Sequence, residues 1–77
     1  MNSLTNKQVR ELMNEFSPRN DGYVFKLSRK QFEELVEDTI DVGISEQPES
    51  NGNRLKSLFK SCTDNQVYSL VIALRTL

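Results

Sequence analysis

One phrase recurs three times in this chain of 77 residues. It reads Ser or Thr behind an apolar residue, Gln three positions on, an apolar residue next, then Leu after three more. The copies are Leu4-Thr5…Gln8-Val9…Leu12, Leu27-Ser28…Gln31-Phe32…Leu35 and Cys62-Thr63…Gln66-Val67…Leu70. Each is a capping box. The hydroxyl accepts a bond from an orphan N–H of the first helical turn, and the Gln side chain reaches back to the N–H of the capping residue. The flanking apolar pair can close as a hydrophobic staple. Three helix starts are therefore written into the chain.

The apolar residues behind each box keep the i, i+3, i+4, i+7 spacing of one helix face. Val9, Leu12, Met13 and Phe16 define a helix over about residues 6–16, which Ser17-Pro18 ends because Pro disfavours helical dihedrals in the residue before it. Phe32, Leu35, Val36 and Ile40 define a second helix, from Ser28 to about Asp41, with Gly43 as its stop. Leu55, Leu58, Phe59 and Cys62 define a third, capped by Ser50 or Asn51. Val67, Leu70, Val71, Leu74 and Leu77 define a fourth that starts after Thr63. Asn20-Asp21-Gly22 signals a turn. Residues 23–27 read as an extended connector with Tyr23, Phe25 and Leu27 on its buried side. The polar residues 44–52, with Pro48, read as a surface loop. The prediction is an all-α, single-domain bundle of four helices with one extended connector. Its core should hold Leu12, Phe16, Phe32, Leu35, Val36, Leu55, Leu58, Phe59, Leu70, Val71 and Leu74. Helix four lacks a Gly, Asn or Pro stop, so residues 1–77 are expected to be the N-terminal fragment of a longer protein.

The residue types that carry catalysis are sparse. The chain has no His, and Cys62 is its single cysteine, so neither an internal disulfide nor an imidazole-activated nucleophile can form. Carboxylate pairs occur at helical spacing, Glu33 with Glu37, Glu34 with Asp38 and Asp38 with Asp41. They face away from Phe32, Leu35 and Val36, which makes a solvated face of them and not an acid–base or metal site. Residues 50–54 could offer backbone N–H groups to an anion, but no phosphate-loop spacing accompanies them. The expectation is a protein that is not an enzyme and needs no metal or cofactor. No stretch resembles a signal peptide or approaches the roughly 18 apolar residues of a membrane span, which makes the reducing cytoplasm the default location.

Charge placement is more informative. Helices one and two begin with bases (Lys7 and Arg10; Arg29 and Lys30) and end with acids (Glu11 and Glu15; Glu37, Asp38 and Asp41), opposite to what the helix dipole favours. Antiparallel packing that sets basic starts beside acidic ends would account for it. Helix three carries Arg54, Lys56 and Lys60 and no acid. Two uses follow. The acidic outer face of helix two, Glu33, Glu34, Glu37, Asp38 and Asp41, can meet a protein partner or another copy of the chain. Alternatively the basic helix, through Arg54, Lys56 and Lys60, can meet DNA or RNA. The second use is the weaker: Arg54 points away from the two lysines, and the net charge of −1 supplies no field toward a polyanion.

Residues 27–36 (LSRKQFEELV), a polar loop, residues 50–59 (SNGNRLKSLF) and a final apolar helix together resemble the small N-terminal domains of bacterial abortive-infection proteins of the AbiJ type. More loosely, they are similar to adaptor domains of other bacterial conflict systems. The resemblance covers Leu27 to Leu77 best. It implies a recognition or adaptor module of antiviral defence, with any toxic activity in a separate effector domain, and it carries over no catalytic residue.

Overall fold

A computed structural model describes residues 2–19 and 21–77. It contains four helices, α1 (Asn6–Phe16), α2 (Arg29–Ile40), α3 (Asn51–Ser61) and α4 (Asp64–Arg75), and no strand among the described residues. All three capping boxes close. Thr5 Oγ1 accepts the Gln8 N–H at 3.1 Å, while Gln8 Oε1 accepts the Thr5 N–H at 2.8 Å. Ser28 with Gln31 and Thr63 with Gln66 repeat the exchange. Ser50 caps α3 without a box, because its third helical residue is Asn53.

The dominant helix contacts are α1 with α3 and α2 with α4, so neighbours in space alternate along the chain. The apolar stripes of all four meet in one core. Of the residues expected there, Leu12 and Leu35 are only half-buried at its edge, and the others are buried. Val9, Val24, Ile40, Ile44, Cys62 and Val67 join them. Ahead of α1, Asn2 donates through Nδ2 to the Phe59 and Cys62 carbonyls, both at 2.7 Å, and occupies acceptors left over where α3 ends. Ser3 is held beside it by Asp64, which accepts its N–H at 2.9 Å and its hydroxyl at 3.0 Å.

Three local expectations need correction. The connector is turned and not extended. Leu27 N–H reaches the Val24 carbonyl at 3.2 Å, Phe25 takes φ +52°, and the inward residue is Val24, while Tyr23 and Phe25 face outward. The cause is the loop closure behind α1. Phe25 N–H bonds the Phe16 carbonyl, and the Ser17 hydroxyl bonds the Tyr23 carbonyl at 2.6 Å, which folds the segment back on the helix end. Second, the left-handed residue that ends α2 is Asp41, at φ +57°, and not Gly43. A short polar side chain tolerates that conformation better than most. Third, the loop after α2 is not all surface: Ile44 is buried in the core. The turn signal at Asp21-Gly22 is realised, with Tyr23 N–H donating to Asp21 Oδ1 at 3.1 Å and Gly22 at φ +86°. Asn20 lies outside the described residues.

Candidate functional site

The five acidic residues proposed on α2 do not stay together. Glu34, Glu37, Asp38 and Asp41 are exposed on its outer face, as expected. Glu33 instead turns toward α3, where its Oε2 accepts from Arg54 Nη1 at 2.8 Å. Arg54 is the larger correction: it is not a surface base but a fully buried side chain. Its Nη2 donates to Asn51 Oδ1 at 2.6 Å, its Nη1 also to the Ile44 carbonyl at 3.1 Å, and its guanidinium carbon lies 5.6 Å from the centre of the Phe32 ring. Asn51 extends the network through Nδ2 to the Leu27 and Ser28 carbonyls at the start of α2. The reason is positional. Residue 54 sits three after Asn51 and four before Leu58, inside the buried stripe of α3. Only Lys56 and Lys60 of the basic trio remain exposed.

Among the described residues only two ion pairs form, and neither sets a basic helix start beside an acidic helix end. Arg29, at the start of α2, donates to the Glu49 and Gln47 carbonyls at 2.6 and 2.9 Å. The second pair ties the last turns of α1 and α4: Arg75 Nε and Nη2 grip the two carboxylate oxygens of Glu15 at 2.7 and 2.8 Å.

Beside that pair lies a feature the sequence reading missed. The end of α1, the turned connector, the start of α2 and the end of α4 enclose an open groove of about 1240 Å³. Phe16, Leu27 and Leu74 form its floor, and Tyr23, Phe25 and Leu77 stand along its walls, 61%, 44% and 65% exposed. Arg19, Asp21, Lys26 and the Glu15–Arg75 pair add charge at the rim. The groove is larger and more open than the enclosed pockets of 300–1,000 Å³ that typically hold one small molecule. Phe25 is kept on its wall despite a positive φ that costs a bulky residue about 1–2 kcal/mol. An edge-on contact with Phe16, at 5.8 Å between ring centres, and the bond to the Phe16 carbonyl offset part of that cost. Burial of Tyr23 and Phe25 was expected from their alternation in an extended segment. The signal against it was the Asp21-Gly22 turn immediately before them, which makes a continuing straight strand improbable.

The groove's chemistry suits recognition. A general acid or base at neutral pH needs a carboxylate whose pKa is raised. Glu15 is shifted the other way, held below the usual carboxylate range by its hydrogen bonds to Arg75 and the guanidinium charge, against a slight desolvation. Arg75 is correspondingly raised by the same bond. Because the folded state lowers the Glu15 pKa, the pair stabilises the fold above the ordinary carboxylate range. That stability is lost as the pH falls through the lowered folded value. Glu15→Gln is therefore expected to flatten part of the fall in melting temperature between about pH 7 and about pH 2. Parallel melting curves for parent and variant would refute this. Burial pushes the Cys62 thiol up, partly opposed by a bond with Ser61, so it is a poor nucleophile.

Among the described residues no three of His, Cys, Asp and Glu are grouped to hold a metal ion, and no helix is long and apolar enough to cross a membrane. Comparison with family models, curated proteins and solved structures returns no match.

Proposed function

We propose that this domain is a non-catalytic protein-interaction module of the adaptor kind, and that the groove between α1, the connector and α4 is its principal contact. The observation that carries the reading is the clustering of Tyr23, Phe25 and Leu77, exposed together around an apolar floor. A soluble-domain surface that gathers large apolar side chains in one concavity marks a place where another surface is covered. The resemblance to AbiJ-type N-terminal domains points the same way and would place the module in a bacterial defence protein. The exposed acids of α2, Glu34, Glu37, Asp38 and Asp41, form a second, electrostatic contact that steers a partner or a second copy. Nucleic acid is disfavoured because burial of Arg54 leaves α3 with two exposed lysines, too few for firm phosphate binding.

The test is site-specific photo-cross-linking in the native cell, with the photoreactive residue at position 23 of the full protein. A protein adduct is expected, and it should weaken when Glu34→Lys and Asp38→Lys are introduced together, with the helical circular dichroism unchanged. An adduct to RNA or DNA, or no protein adduct, would overturn the reading. A protein adduct indifferent to the double reversal would remove α2 from it.

A further inference from the structure

The groove also carries a sign. Both of its acids are occupied internally: Glu15 is gripped by Arg75, and Asp21 accepts the Tyr23 N–H. Its two remaining cations are not. Arg19 and Lys26 are exposed and have no hydrogen bond or ion pair among the described residues. The last turns of α1 and α4 bring about half a negative charge each, confined to the helix ends, which two full cations outweigh. The concavity is thus apolar below and positive at the edge, in a chain whose total charge is −1.

Resting on the reading above, we infer that the occupant of this groove is an acidic amphipathic helix of a protein partner, its apolar side chains laid between Phe25 and Leu77 and its carboxylates set against Arg19 and Lys26. Two observations select a helix with that charge. With no strand among the described residues there is no sheet edge to receive an extended peptide, which leaves helix-in-groove docking as the mode an all-α surface supports. The aliphatic lining of Leu27, Leu74 and Leu77 suits leucine-like side chains and gives nothing to a nucleobase beyond what the two aromatic rings offer. A second copy of this chain fits less well. Its exposed acids on α2 carry no large exposed apolar residue among them to fill the floor.

The proposal is tested with two synthetic helical peptides that share one leucine stripe. One has Glu and the other Lys at every polar position, and a uridine oligonucleotide serves as the nucleic-acid probe. Each is titrated into the isotope-labelled protein. The Glu peptide is expected to bind at least about tenfold more tightly than the Lys peptide, with salt sensitivity, and to perturb the amides of Tyr23, Phe25 and Lys26. Arg19→Glu with Lys26→Glu, both exposed positions, should reverse the preference while leaving the fold intact. Equal or tighter binding of the Lys peptide, no binding of the Glu peptide, perturbation confined to α2, concentration-dependent self-association that occludes the groove, or preference for the oligonucleotide would each overturn the assignment. A protein cross-link at position 23 alongside peptides that show no sign preference would sink the acidic helix and leave the interaction module standing. Absence of any protein cross-link would sink the module itself.

Discussion

Arg54→Met is expected to destabilise the domain by about 3 kcal/mol, the lower end of what removing one partner from a buried ion pair costs. The lower end applies because Glu33, 21% exposed at its side chain, can turn toward water once its partner is gone. What cannot relax is Asn51 Oδ1, buried and deprived of its 2.6 Å donor. A helical domain of this length has perhaps ~3–5 kcal/mol of net stability, so the variant should sit at the edge of unfolding at room temperature. Glu33→Ala should be similarly severe, because it strands a guanidinium that is fully buried and whose Nε already lacks a hydrogen-bond partner. Combining Arg54→Met with Glu33→Met should cost less than the sum of the single changes, since each single change leaves a charge behind and the pair does not. Urea unfolding followed by circular dichroism measures all three. A loss below about 1 kcal/mol for Arg54→Met would show the network to be ornamental.

The second large effect concerns Gly22. The turn before the connector and the first turn of α3 press against one another: Gly52 N–H bonds the Gly22 carbonyl at 2.9 Å. A Cβ on Gly22 would lie 3.0 Å from Ser50 Cβ and 3.2 Å from Ser50 Oγ, the group that caps α3. The φ of +86° adds a backbone penalty for any L-residue, worst for a β-branched one. Gly22→Val is therefore expected to destabilise by about 2–4 kcal/mol, combining that strain with a displaced N-cap. The contrast is Gly43, where an added Cβ meets nothing within 4 Å and no positive φ is required. Gly43→Ala should be neutral or stabilising by up to about 1 kcal/mol, through the unfolded chain. A shift in urea midpoint for Gly22→Val no larger than that for Gly43→Ala would contradict the packing described here. Because Tyr23 and Phe25 follow this turn directly, a Gly22 variant that still folds should also present the groove wall differently, visible as a change in the Phe25 amide resonance.

The helices were legible because their determinants are local. A hydroxyl and a Gln three residues later satisfy one another within a single turn, so the starts at Thr5, Ser28 and Thr63 needed no knowledge of the rest of the chain. The apolar stripes are equally local, since which residues share a helix face follows from 3.6 residues per turn. That same periodicity contained the warning about Arg54: lying on the face of Asn51 and Leu58, it had to be buried if they were. Its charge suggested the opposite, and only the facing Glu33 and the Ile44 carbonyl make burial tolerable. Which helix packs on which, the turn at Phe25, the burial of Val24 and Ile44, and the groove itself are contacts between segments far apart in sequence. No periodicity encodes them. Helix starts and faces were thus set by the amino-acid order alone, through bonds spanning three or four residues. The candidate site was decided by tertiary structure, because its walls come from the ends of α1 and α4 and from a connector whose direction depends on the Phe16 carbonyl and the Ser17 hydroxyl that hold it.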